Sequence, residues 1–163
     1  MTVQAYLGLG SNMGDRMGYL EAAVEQLRDI DAELSVSPVY ETAPLGGPVG
    51  QKRFLNCVVR LETGLTPRQL LKVAQRLERL AGRVRTVRNG PRTLDVDVLL
   101  VGDLKVCEPD LVVPHPRMTE RGFVLAPLED LDAERVPARW RATLAETDPA
   151  SLDLHMVGRL GGN

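Results

Sequence analysis

Alternation opens the chain. Val3, Ala5, Leu7 and Leu9 recur at every second position over residues 3–10, which puts them on one face of a strand. A polar Ser11-Asn12-Met13-Gly14 stretch follows, and the spacing then changes. Met17, Leu20, Val24, Leu27 and Ile30 step by three and four, the buried stripe of an amphipathic helix. Leu34 and Val36 begin a second strand that runs to about Tyr40. Residues 42–52 are too rich in Gly and Pro for an element and read as a loop. A third strand is predicted over residues 54–62, with Leu55, Cys57, Val59 and Leu61 on one face and Phe54, Asn56 and Val58 on the other.

The second helix announces its start. Thr66 is the predicted N-cap, Pro67 the first helical residue, Gln69 the closing member of a capping box, and Leu65 and Leu70 a hydrophobic staple. Its stripe is Leu70, Val73, Ala74, Leu77 and Leu80, and Gly82 is its stop. After a basic loop, residues 94–101 alternate again, with Leu94, Val96, Val98 and Leu100 to one side. Gly102-Asp103 reads as a turn into a further strand near residues 104–107. From about Leu131 onward the pattern places little. The order strand, helix, strand, strand, helix, strand predicts an α+β fold. It is a ferredoxin-like βαββαβ core with an added hairpin strand and short C-terminal helices and tail, the helices covering one face of a mainly antiparallel sheet. No repeat or linker interrupts it, so residues 1–163 are expected to form one domain.

Composition narrows the class. Hydrophobic content of 44% with 26% charged residues suits a soluble globular chain. With no long apolar run and no basic-then-apolar leader, a cytoplasmic location is expected. Cys57 and Cys107 are too few and too isolated for a disulfide framework or a zinc site, and are expected to be two buried thiols. The net charge of −2 conceals a cluster: Arg76, Arg79, Arg83, Arg85, Arg88 and Arg92 crowd one stretch.

The chemistry concentrates where that stretch meets the fourth strand. Asp95 and Asp97 share the face opposite the valines, with Cα atoms roughly 6.6–7 Å apart. Aspartate is a poor strand former and neighbouring carboxylates repel. Two readings fit: solvated acids paired with arginines, or hard oxygen ligands for Mg²⁺ held with substrate phosphates. The glycine-bearing arginine loop tilts the balance, since Arg is the preferred fork for phosphate oxygens and acids plus arginines make a phosphoryl-transfer kit. The P-loop pattern is absent from the sequence. Gly8-Leu9-Gly10-Ser11-Asn12-Met13-Gly14 imitates a dinucleotide fingerprint, but its last glycine is one residue late. A tight turn, with Ser11 or Asn12 as a local cap, is expected there. Phe54 and Asn56, two apart on one face, suit either a flat heterocycle or a sheet surface covered by the neighbouring loop. Phe123 is a second wall or ordinary core. His115, between Pro114 and Pro116, is held in a rigid segment.

These residues together resemble the 6-hydroxymethyl-7,8-dihydropterin pyrophosphokinase family, ATP-using enzymes of folate synthesis. The resemblance rests on Leu9-Gly-Ser-Asn12, Tyr40-Glu-Thr-Ala-Pro-Leu45, Phe54-Leu-Asn56, Gly82-Arg-Val-Arg85, Asn89-Gly-Pro-Arg-Thr-Leu-Asp-Val-Asp97, Val113-Pro-His115 and Arg121-Gly-Phe123, in family order. It implies that Asp95 and Asp97 bind two Mg²⁺ with ATP, and that Phe54 and Phe123 sandwich the pterin while Asn56, Thr42 and Leu45 read its edge. It also implies that Gln75, Glu78, Arg85, Arg88, Arg92, Val98, His115 and Arg121 serve the nucleotide, and that Arg83 and Arg92 steady the transferring group. The implied partners are ATP and hydroxymethyl-dihydropterin, not nucleic acid or membrane. The chain departs from some members in having Phe54 for Tyr, Asn89 for Trp in a loop one residue shorter, and Asp110 and Val112 for polar or basic residues. Residues 43–52 and 83–92 are expected to be lids. The rival readings are a palm-like nucleotidyltransferase, which would release pyrophosphate, and a ferredoxin-like module that binds RNA or a metabolite.

Overall fold

In the computed structural model, which describes residues 1–84, 87–146 and 152–161 and only the main chain of 144–146, the alternating runs become one six-stranded sheet. Its central strand β1 (Val3–Ser11) is antiparallel to both β4 (Phe54–Thr63) and β5 (Asp95–Val101). The expected second strand is split into β2 (Ser35–Val36) and β3 (Val39–Thr42), both paired with β4. Pro38, which has no N–H to donate, marks the break. Ser37 bridges it: its N–H donates to the Val58 carbonyl at 2.9 Å and its Oγ accepts from the Val58 N–H at 2.9 Å. The order β5-β1-β4-β3 is the ferredoxin-like one, and β8 (His155–Gly158) extends it as an edge strand on β3. That last strand falls in the tail the sequence pattern left blank.

One sheet face is covered as expected. Helix α1 (Arg16–Leu27) presents Leu20, Ala23, Val24 and Leu27, and α2 (Pro67–Leu80) presents Leu70, Ala74 and Leu77, to a core shared with Ala5, Leu7, Leu9, Cys57 and Val59. The capping box on α2 is formed: Thr66 Oγ1 accepts from the Gln69 N–H and Gln69 Oε1 accepts from the Thr66 N–H. Such a cap is worth about 1 kcal/mol. Leu80 is the exception to the predicted stripe and is exposed. Cys107 likewise is exposed, and only Cys57 is a buried thiol.

The opposite face departs from the one-sided expectation. Helix α3 (Gly122–Leu131) packs Val124, Leu125 and Leu128 against Tyr6, Val58, Leu99 and Leu100. Gly122 and Pro127 disguise this helix in the sequence, being poor helix formers. Two tyrosines fasten it: Tyr6 donates to Asp132 at 2.5 Å, and Tyr40 donates to Asp130. Burial first, then Asp132, pushes the Tyr6 hydroxyl up to about 12. β6 (Val106–Glu108) pairs with β7 (Leu111–Val113), so the added strand forms its own hairpin and does not extend the sheet. Helix α4 (Ala138–Glu146) follows α3.

A one-residue irregularity in β5 shapes what comes next. Leu7 pairs with Val98 but Tyr6 pairs with Leu100, so Leu99 is an extra residue. Leu99 and Leu100 therefore both join the α3-side core, whereas the strict alternation had placed Leu100 with Val96 and Val98. The Leu99 carbonyl accepts from the His115 N–H at 2.9 Å, which lays the segment after β7 beside β5.

Candidate active site

α3 covers only part of its face, and the uncovered part is hollow because β1 supplies no side chains there. Gly8 stands opposite Asp97, and Gly10 opposite Asp95 on one side and Asn56 on the other. A Cβ on Gly10 would lie 2.7 Å from Asn56 Oδ1, so this position has no room for a side chain while Asn56 keeps its place. The two glycines thus belong to the site, as floor. Asp95 and Asp97 project over that floor into a cleft of about 440 Å³, lined also by Arg83, Arg88, Asn89, Arg92, His115 and Arg121.

Local structure delivers the arginines. Gly82, at φ +69, ends α2 in a Schellman arrangement in which its N–H reaches the Arg79 carbonyl and the Arg83 N–H reaches the Glu78 carbonyl. The chain reverses, and Arg83 is carried back over the helix end, where it bridges Glu78 and Asp95, the latter at 2.9 Å. Arg92 pairs with the other Asp95 oxygen at 3.0 Å. Asp97 has weaker company, with Arg121 at 3.9 Å and His115 Nε2 at 3.8 Å. Burial, followed by the Asp95 charge, pushes its carboxyl up to about 7. His115 Nδ1 accepts from the Arg117 N–H at 3.2 Å, leaving Nε2 toward Asp97. Burial and then Arg121 hold its pKa below the usual imidazole range.

A second, narrower slot of about 70 Å³ adjoins the first and shares Asn89, Arg92, Asp95 and Arg121 with it. Its other walls are Thr42, Ala43, Leu45, Phe54, Asn56 and Phe123. Asn56 Nδ2 donates to Thr42 Oγ1 at 2.8 Å, both residues being buried. Guanidinium groups lie over both rings: Arg92 is 5.2 Å from the Phe54 centroid and Arg121 is 5.5 Å from that of Phe123. A flat ligand entering between the phenylalanines therefore meets aromatic faces that already accept a planar group.

Residues 6–133 match the sequence profile of the family described as 7,8-dihydro-6-hydroxymethylpterin-pyrophosphokinase (HPPK). The chain belongs to this family. A Bacillus subtilis 2-amino-4-hydroxy-6-hydroxymethyldihydropteridine pyrophosphokinase is 47% identical over 146 residues, covering 88% of this chain and 85% of the relative. The Pseudomonas aeruginosa enzyme of the same name is 44% identical over 133 residues, covering 80% and 82%. At the level of fold, a wild-type Plasmodium falciparum HPPK-DHPS structure superposes with a TM-score of 0.61 at 16% identity. It covers 88% of this chain, which spans only 44% of that longer one.

Among the residues that HPPK resemblance assigns to the nucleotide, Arg88, Arg92, His115 and Arg121 line the arginine cleft and three others do not. Gln75 is exposed on α2. Glu78 is buried beneath the cleft, held to Arg83 and accepting from the Val96 N–H at 3.3 Å. The Val98 side chain is in the helix-side core, because its β5 position has the parity opposite to Asp97. Arg85 lies outside the described residues. The five assigned to the pterin all line the slot.

Neither Ser11 nor Asn12 is the expected local cap: Ser11 Oγ is buried without a hydrogen-bond partner among the described residues. Asp15 caps α1, accepting from the Gly18 N–H at 3.0 Å. Asn12 instead joins both loops: its main-chain N–H and its Oδ1 pair with the Arg92 carbonyl and N–H, and its Nδ2 donates to Gln51 Oε1 and the Lys52 carbonyl, both at 3.1 Å. Gln51 Nε2 then donates to the Asn89 carbonyl at 2.8 Å, and a Cβ on Gly47 would lie 2.0 Å from that oxygen. The 43–52 and 83–92 loops are in contact. A residue polar enough to pair with main chain, at the end of a strand and before a cap, was the available signal.

Proposed function

We propose that the chain transfers pyrophosphate from Mg-ATP to 6-hydroxymethyl-7,8-dihydropterin, releasing AMP, within folate biosynthesis. The observation that carries the reading beyond family membership is adjacency. A slot with two aromatic walls and a buried amide opens into an arginine-rich cleft, and Asp95, Arg92 and Arg121 belong to both. A substrate ring in the slot would thereby present its substituent to polyphosphate in the cleft, which is the positioning that phosphoryl transfer requires.

The donor set fits Mg²⁺. Asp95 and Asp97 offer hard oxygens from one strand face, too few to enclose an ion, so phosphate oxygens and water would complete its shell. Burial first, and then the Asp95 carboxylate, disfavour the charged form of Asp97, and a divalent cation would offset both. When bound, two such ions would neutralise the phosphates; among the described residues no cluster of three or more ligating side chains forms a denser metal cage.

The protein's own part is orientation and charge. Phe54 and Phe123 would stack on the pterin, and Asn56 with the Thr42 and Leu45 main chain would read its edge. Arg92 now covers Phe54 and pairs with Asp95. A ring stacking on Phe54 displaces that guanidinium, which then turns to the phosphates together with Arg83. Arg88, His115 and Arg121 hold the nucleotide. The hydroxymethyl oxygen attacks the β-phosphorus in line and AMP departs. Asp97 and His115 line the cleft, but with Asp97 committed to the metal and His115 to the nucleotide the loose transition state asks little of a base, and the alcohol proton leaves to water or a phosphate oxygen.

Residues 1–163 act on these small molecules as a single domain. Among the described residues no helix is long and apolar enough to cross a membrane. The test is incubation with Mg-ATP and hydroxymethyl-dihydropterin followed by separation of nucleotides. AMP in step with pterin pyrophosphate is expected. Release of ADP, or of free pyrophosphate, would refute the assignment.

A further inference from the structure

Beyond residue 133, where the family profile ends, the chain returns to the slot. β8 lies against β3 with Met156 opposite Tyr40 and His155 opposite Glu41. Just before it Asp153 has φ +58, a left-handed conformation that Asp and Asn adopt more readily than most residues. That turn aims its carboxylate at two points of the main sheet. Oδ2 accepts from the Ala43 N–H at 2.8 Å, and Oδ1 accepts from Arg53 Nη2 at 2.5 Å.

Ala43 and Arg53 flank the glycine-bearing loop, so one carboxylate ties both of its ends. The residues beyond them, Thr42 and Phe54, are paired across β3 and β4 and both line the slot. Arg53 is held further by Glu41 at 3.5 Å, and its carbonyl accepts from Arg16 at 2.8 Å. The next residue of the tail supports the opposite wall. Leu154 is buried with Tyr40 and Ala126, and Phe123 and Trp140 pack against that cluster. A Cβ on Gly122 would be 3.5 Å from Leu154.

We propose that residues 152–155 buttress the ring slot, and that Asp153 is a positioning residue that sets Phe54 against the Thr42–Ala43 main chain. The inference rests on the reading that this slot takes the pterin. Fixing the loop ends before binding lowers the ordering cost of closing the slot on a ring. Asp153 does not line the arginine cleft, so nucleotide binding should not depend on it.

The test uses the full chain and two substitutions. Asp153→Gly keeps the left-handed backbone accessible while deleting the carboxylate, and Asp153→Asn keeps one acceptor. Calorimetry with Mg²⁺ and α,β-methylene-ATP, then with 6-hydroxymethylpterin added to that complex, gives separate dissociation constants. The pterin constant should rise about tenfold in Asp153→Gly and about threefold in Asp153→Asn, the size of a lost charged hydrogen bond and its partial rescue. The nucleotide constant should stay within about twofold. A pterin constant unchanged in both variants, or equal losses for both ligands, would overturn the proposal. If the glycine variant does not fold, the asparagine variant decides by the same two constants. Wild-type protein that fails to bind the pterin would overturn the functional reading and this inference together; wild type that binds no better than Asp153→Gly would overturn the buttress alone.

Discussion

Gly10→Ala adds a single methyl group where the structure has no place for one. Its Cβ would sit 2.7 Å from Asn56 Oδ1, against the roughly 3.3–3.6 Å at which carbon and oxygen ordinarily meet. Gly10 is in extended strand, so alanine brings no backbone strain and recovers about 0.5–1 kcal/mol of chain entropy. The contact is relieved only by turning the Asn56 amide or displacing β4. Turning it breaks the 2.8 Å bond from Asn56 to Thr42 in a buried setting, at about 1–3 kcal/mol. The balance is a destabilisation of up to roughly 2.5 kcal/mol, or up to about 10 °C in Tm. The moved amide also leaves the slot, so pterin affinity should fall roughly 10–100-fold while nucleotide affinity holds. Gly8→Ala is the control, because the nearest atoms its Cβ would meet belong to the Leu99 side chain at 3.5 Å, an ordinary contact. Thermal unfolding and calorimetry on both variants check the argument. Wild-type pterin affinity in Gly10→Ala, or equal destabilisation by Gly8→Ala, would show that the glycine does not clear the slot.

Asp97→Asn should leave Tm unchanged or raised, since burial and Asp95 already disfavour its charge, while turnover at saturating Mg²⁺ drops by orders of magnitude; turnover near wild type would remove Asp97 from the metal site. Phe54→Ala should weaken pterin binding by about 1–3 kcal/mol with little change for ATP, and a loss mainly in nucleotide affinity would mean the slot is wrongly assigned. Asn12→Ala should release both loops together, seen as faster hydrogen exchange in residues 43–52 and 87–92; acceleration of one alone would contradict the shared anchor. Native protein should react with iodoacetamide at Cys107 only, because burial pushes the Cys57 thiol up to about 12, and labelling of Cys57 before unfolding would refute its burial.

The periodicities of residues 3–10, 54–62 and 94–98 and the capped start of α2 were legible along the chain because each is local. A strand exposes its parity, and a helix cap its own acceptors, within a few residues. The same locality made Asp95 and Asp97 conspicuous, as two charges where a strand is poor ground for them. What the one-dimensional pattern could not carry were relations between distant residues. The parity of Leu100 was lost at Leu99, an extra residue recognisable only against β1. α3 was hidden by Gly122 and Pro127, whose propensity cost is outweighed by packing on Tyr6 and Leu100. Asn12, read as a cap, acquires its meaning from Arg92 and Gln51, which folding brings to it from 80 and 39 positions away. Gly10 is required because Asn56 crosses it, and Asp153 because Ala43 and Arg53 lie 110 and 100 residues back along the chain. Local propensity and side-chain chemistry thus named the strands and the acids. Tertiary contact alone decided which glycines form the floor, which loop ends are tied, and which arginines reach the carboxylates, since those depend on distances that no sequence spacing encodes.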